Sequence, residues 1–115
     1  MADPDAGDIG VVNLSPHSGS ELAGRHHCVV LTPRKANIAT GRIFQCPITS
    51  VAKGSNFELE YKQQIGKKTR GYLVISEMKS IEYISRGFEF VKPYEKADQN
   101  IINEIWRLFL FWVQP

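Results

Sequence analysis

The hydrophobic pattern of this chain changes period once, at Pro93, and no other feature constrains the fold as much. Before that point apolar residues come in short runs bounded by Gly, Pro, Ser and Asn. After it, Ile101, Ile102, Ile105, Trp106, Leu108, Phe109 and Trp112 recur at helical spacing. Residues 10–14, 28–32, 42–48, 57–61, 72–76, 79–84 and 88–91 read as strands, and 94–113 as one amphipathic helix. The 28–32 run is continuously apolar and is expected to be buried on both faces. Residues 57–61 (F-E-L-E-Y) alternate and are expected to be half exposed, and "RKANIATG" (34–41) has room for one helical turn. Short strands followed by a helix predict a mainly β (α+β) fold, a small antiparallel barrel with a C-terminal helix.

At 115 residues the chain can bury one core and has no room for a second domain of ordinary size. Residues 1–8 read as a frayed N-terminal tail and 9–115 as one domain. The formal net charge of +2 imposes no nucleic-acid partner through bulk charge, so any such partner must be met by a local patch. Cys28 and Cys46 both lie in apolar runs; two such cysteines are no disulfide framework and suit a reducing cytosol. The acidic start "MADPDAGD" does not resemble a signal peptide, and the apolar run at 108–113 is too short to cross a bilayer. These features predict a soluble cytoplasmic protein with no membrane contact. The helix end "WRLFLFW" is apolar almost all round and needs cover on more than one side, which predicts a homodimer.

Chemistry-bearing residues gather around two loops, "SPHSGSELAG" (15–24) and "TSVAKGSN" (49–56). His17, His26, His27, Cys28 and Cys46 include good zinc ligands, but no C-x-x-C or H-x-x-x-H pair exists, and alternation turns His27 away from His26 and Cys28. No metal and no cofactor are therefore expected. Lys53, Lys62, Lys67, Lys68 and Arg70 flank one strand, either as an ordinary solvated surface or as a cationic groove for a phosphate backbone. Phe88 and Phe90 read as strand packing, and Trp106 and Trp112 as helix core or dimer contact.

Four stretches in order, "GDIGVVNLSPHSGSELAG" (7–24), "VVLTPRKANIATG" (29–41), "CPITSVAKGSNFEL" (46–59) and "MKSIEYISRG" (78–87), resemble the MazF/PemK family of mRNA interferases. The resemblance runs over nearly the whole chain. It implies an SH3-like, CcdB-like barrel acting as the toxin of a type II toxin–antitoxin pair. Such toxins are homodimers that cleave single-stranded RNA without a metal, leaving 2′,3′-cyclic phosphate and 5′-hydroxyl ends. A cognate antitoxin blocks the site with an extended acidic segment. The reaction needs a base for the 2′-hydroxyl, an acid for the leaving 5′-oxygen and donors for the charge on the phosphate.

By this resemblance Thr49, with Ser50 beside it, supplies a donor, and Glu21, next to Ser20, shapes the site. The family reads G-x-R-P before its apolar strand, whereas this chain reads Gly24-Arg25-His26-His27, so the family Arg falls on His26 and the Pro on His27. Three outcomes stand open: His26 as acid/base, which imidazole suits better than guanidinium; Arg25 swung one place along; or a site that no longer cuts. A frequent D-Q pair becomes Ser76-Glu77, which strand alternation would turn to the opposite face. The expected RNA-contacting set is Ser20, Ser50, Lys53, Lys67, Lys68, Arg70, Glu77 and Lys79. The alternative on the same fold is a lapsed barrel. It would bind RNA, or a protein such as an antitoxin or, like the CcdB toxins, a topoisomerase.

Overall fold

The structure, a computed structural model, describes residues 2–15, 22–51 and 63–115. The expected strand at 57–61, and His17, Ser20, Glu21, Lys53 and Lys62, lie outside the described residues. Seven strands are seen among those described: β1 (Ile9–Asn13), β2 (Arg25–Val30), β3 (Arg42–Thr49), β4 (Gln63–Gln64), β5 (Arg70–Leu73), β6 (Lys79–Glu82) and β7 (Glu89–Phe90). Two α-helices, α1 (Arg34–Thr40) and α2 (Gln99–Val113), complete the regular structure with a 3-10 turn at Ile75–Glu77. All pairings are antiparallel, in the order β4-β5-β3-β2-β1-β7, with β6 also on β3. Among the described residues no ladder closes the sheet, which is barrel-like but open.

Alternation along β2 divides the core in two. Val29 and Leu31 join Ile9, Cys46, Ile48 and the helix residues Ile101 and Ile105, while Cys28 and Val30 join Val12, Leu14, Ile43 and Phe88. The strand is thus buried on both faces, as its unbroken apolar run predicts. Each branched side chain taken out of water here contributes about 1.5–3 kcal/mol.

Pro47 sits inside the central strand β3, where a missing N–H is normally costly. The pairing of β3 explains how it is tolerated. Its partner is β6 from Arg42 to Gln45 and β5 at Ile48 and Thr49, so Pro47 falls in the gap between them. There the neighbouring chain folds into the 3-10 turn, and Val74 N–H donates to the Pro47 carbonyl at 3.0 Å. The expected strand at 72–76 therefore ends early, at Leu73.

Two expectations are corrected. Residues 2–8 are packed rather than frayed. The Tyr83 hydroxyl donates to Asp3 (2.9 Å), the buried Asn37 amide donates to the Pro4 carbonyl (2.9 Å), and Gly7 N–H donates to the Val30 carbonyl (2.7 Å). Polar side chains distant in sequence hold this segment, and local composition carries no trace of them. Second, the helix starts at Gln99, not 94. Residues 95–97 run extended beside β1, with Ile9 N–H on the Glu95 carbonyl and Ala97 N–H on the Gly7 carbonyl. Helix α1 is longer than one turn and ends at Gly41, whose φ of 69° suits glycine.

On α2, Ile101 and Ile105 are buried, and Trp106 stacks on Phe44 at 6.1 Å. The last turn outruns the sheet: Leu110 is 56% exposed and Phe111 68%. No helix among the described residues is long and apolar enough to cross a membrane.

Candidate active site

A cleft of about 500 Å³ opens where the start of β2 meets the end of β3. One wall is made by these strands, with Arg25, His26, His27, Thr49 and Ser50. The other is the turn before β5 and the start of that strand, with Lys68, Thr69 and Arg70. Val91, Lys92 and Glu95 line the floor and far end.

The strand wall follows from register. His27 pairs with Ile48 and Cys28 with Pro47, which brings the start of β2 beside the end of β3, and His26 and Thr49 both line the cleft there. Alternation puts His26 on the face of Cys28, and Arg25 and His27 on the face of Val29. His26 is half-buried, and its Nε2 lies 3.0 Å from the Ala23 carbonyl. A carbonyl only accepts, so Nε2 carries the hydrogen and the neutral ring keeps its lone pair on Nδ1. Thr49 is buried, and its hydroxyl both donates to the Val51 carbonyl (3.3 Å) and accepts from Val51 N–H (3.4 Å), fixing the exit of β3. The Arg25 guanidinium is engaged elsewhere, on the Gly87 carbonyl at 3.4 Å and Glu89 Oε1 at 3.3 Å.

The turn wall is carried by one buried carboxylate. Glu95 Oε1 accepts from Lys68 N–H (2.8 Å) and Thr69 N–H (3.3 Å), and Oε2 accepts from the Thr69 hydroxyl (2.9 Å). Burial alone would raise this carboxyl, but the Lys68 N–H, the Thr69 hydroxyl and N–H, and the Lys67 N–H favour the charged form and hold it below its ordinary value. Gly66 makes room: a Cβ there would lie 2.5 Å from Glu95 Oε1 and 2.9 Å from Ile9 Cδ1. Side chain and backbone bonds thus set where Lys68 stands, while the β4–β5 ladder, which pairs Arg70 with Gln64, places Arg70.

Of the expected site residues, His26, Arg25, Thr49, Ser50, Lys68 and Arg70 come together here. Lys67 is exposed in the same turn but is not a lining residue. Lys79, in β6, lies outside the cleft. Glu77 is not on a strand, so strand alternation does not apply to it; its carboxylate accepts from Leu22 N–H at 2.6 Å and anchors the end of the first loop. Sequence reasoning missed Thr69, Lys92, Glu95 and the exposure of His27 to the cleft. Among the described residues no three His, Cys, Asp or Glu side chains converge as a ligating group.

A family model described as "PemK-like, MazF-like toxin of type II toxin-antitoxin system" matches residues 5–110. The chain belongs to this toxin family. It is 37% identical to the endoribonuclease toxin MazF of Escherichia coli (strain K12) over 84 residues, 73% of each chain. Crystal structures of MazF and of MazE-MazF from Deinococcus radiodurans superpose with TM-scores of 0.83 and 0.76. Identities are 28% and 29%, over 98% of this chain in both cases and 98% and 97% of theirs. The MazF-like fold is thus shown together with the family, and the antiparallel sheet with its terminal helix is that fold.

Proposed function

We propose that this PemK/MazF-family toxin is an endoribonuclease that cuts single-stranded RNA without a metal, leaving 2′,3′-cyclic phosphate and 5′-hydroxyl ends. The observation that carries the reading is that His26 and Thr49, from the start of β2 and the end of β3, line one cleft with Lys68 and Arg70. His26 Nδ1 takes the proton of the 2′-hydroxyl, the freed oxygen attacks the adjacent phosphorus, and the bond from phosphorus to the 5′-oxygen breaks. The leaving oxygen collects a proton in the same cleft, where His27 is the second imidazole. Thr49, turning its hydroxyl from the Val51 carbonyl, stabilises the charge on the non-bridging oxygens, and Lys68 and Arg70 hold the phosphates of the bound strand. Arg25 is set aside as the base because a guanidinium stays protonated and this one is bonded to Gly87 and Glu89.

An antitoxin with an extended acidic segment would compete for the same cations; the likeness of this chain to the MazE-MazF crystal structure supports such a partner. Exposed Leu110, Phe111 and Val113 support a homodimer in which a second copy covers the end of α2. A messenger RNA substrate implies a cytoplasmic setting. A second reading, a barrel that binds without cutting, is favoured by the commitment of Arg25 to other partners at the corner where the family carries its arginine. Incubating the purified protein with mixed single-stranded RNA in EDTA and mapping the ends separates the two. The proposal expects cyclic phosphates upstream and 5′-hydroxyls downstream of each cut; intact RNA favours the second reading.

A further inference from the structure

The cleft does not stop at its far end. A middle depression of about 410 Å³ shares Arg25, His27, Val91 and Lys92 with it, and a third, of about 430 Å³, shares Phe90, Val91 and Lys92 with the middle one. Together they form one trough along residues 90–94, with Lys92 on all three segments. We propose that this trough holds nucleotides of a single-stranded RNA flanking the cut position, with Tyr94 stacking a base and Arg34 and Lys92 holding phosphates. The proposal rests on the ribonuclease reading for its substrate, and on its own residues for the site.

Tyr94 is 55% exposed, yet its ring is fixed. Its hydroxyl donates to Asp8, and its ring meets that of Phe90 edge to face, 5.9 Å between centroids. A ring already ordered loses little freedom when a base stacks on it. Stacking also tolerates any base, which suits positions outside the cut. The charges that face the trough are cationic. Lys92 is exposed and has no ion pair among the described residues. Arg34 uses Nε on the Asp3 carbonyl and lies near the Asp5 carboxylate, while its two terminal amino groups make no hydrogen bond among the described residues. The trough's carboxylates are answered: Asp8 is buried and paired with Lys96 at 3.1 Å, and Glu89 with Arg25. A fixed aromatic face between cations, continuous with a phosphate-reading cleft, fits a nucleic-acid strand.

The test uses the full chain and 2′-O-methylated oligoribonucleotides, which cannot be cut, as a tetranucleotide and a decanucleotide of mixed sequence. Wild type should bind the decanucleotide at least about 10-fold more tightly by anisotropy. Tyr94→Ala should weaken that binding by roughly 5- to 100-fold and leave the tetranucleotide unchanged. Tyr94→Phe, which keeps the ring but frees it from Asp8, should bind between wild type and Tyr94→Ala and guards against damage to the fold. Arg34→Gln should lower the log–log salt slope for the decanucleotide by about 0.7. Equal binding of both lengths, or Tyr94→Ala and Arg34→Gln indistinguishable from wild type, overturns the trough even if the enzyme cuts RNA. Loss of a synthetic acidic peptide but not of RNA in these variants also overturns it, as a protein-docking face. Length-dependent binding through Tyr94 in a protein that cuts nothing sustains the trough and overturns the ribonuclease reading instead.

Discussion

The two walls of the cleft are built by different means. The strand wall, with His26 and Thr49, is set by β-ladder register and backed by buried Cys28 and Ile48. The turn wall hangs at Lys68 and Thr69 on the hydrogen bonds of one carboxylate, Glu95, with Arg70 beyond them at the start of β5. A ladder fixes atoms closely enough for proton transfer, whereas a tethered turn suits binding a strand of phosphates. Changes in the first should therefore appear in kcat and changes in the second in KM.

The largest effect is expected on the strand wall. His26→Ala should lower kcat by roughly 10²–10⁴ while affinity for uncleavable RNA stays near that of wild type. A loss confined to KM would erase the distinction between the walls.

Next is the tether. Glu95→Ala leaves the Lys68 and Thr69 donors without their acceptor and should cost on the order of 1–3 kcal/mol in urea unfolding, with KM raised. The sign of its pH dependence is fixed: the folded carboxyl titrates below its unfolded value, so the charged form stabilises the fold above the unfolded pKa. This stability is lost as pH falls through the folded value, and the gap between wild type and Glu95→Gln should close in acid. A gap that widens in acid would contradict the assigned hydrogen bonds.

A smaller change concerns the cations themselves. Lys67→Ala with Lys68→Ala should reduce the salt slope of RNA binding by about 0.7 for each phosphate no longer neutralised, with kcat little changed. An unchanged slope would make both residues ordinary solvated surface. The smallest effect tests the rigidity of the strand wall. Cys28, two residues from His26, is fully buried, and burial pushes its thiol up to about 12, partly offset by the Gly10 N–H. Alkylation at neutral pH should follow global unfolding; faster labelling would show that β2 opens locally.

What could be read from the sequence divides along the same line. Unbroken apolar character pointed to a strand at 28–32 buried on both faces, of which 28–30 lie in β2, and the shift to helical spacing pointed to α2, because burial leaves a periodic mark. That His26 and Thr49 share a cleft was within reach once the family motifs were aligned. The tether was not: Glu95 serves residues 26 and 27 positions away, and no local pattern distinguishes it from the start of the amphipathic helix. Asp3 and Tyr83 are similarly distant, so the N-terminus looked frayed. The 3-10 turn that removes Glu77 from strand alternation answers Pro47 on another strand, again a tertiary cause.

The central claim is that His26 performs the proton transfer. Its most direct test is single-turnover cleavage by His26→Ala in the presence of added imidazole, beside wild type and Arg25→Ala. Imidazole should restore cleavage to His26→Ala as its neutral form increases, and Arg25→Ala should keep most of the wild-type rate. Full cleavage by His26→Ala without imidazole, alongside an inactive Arg25→Ala, would contradict the claim.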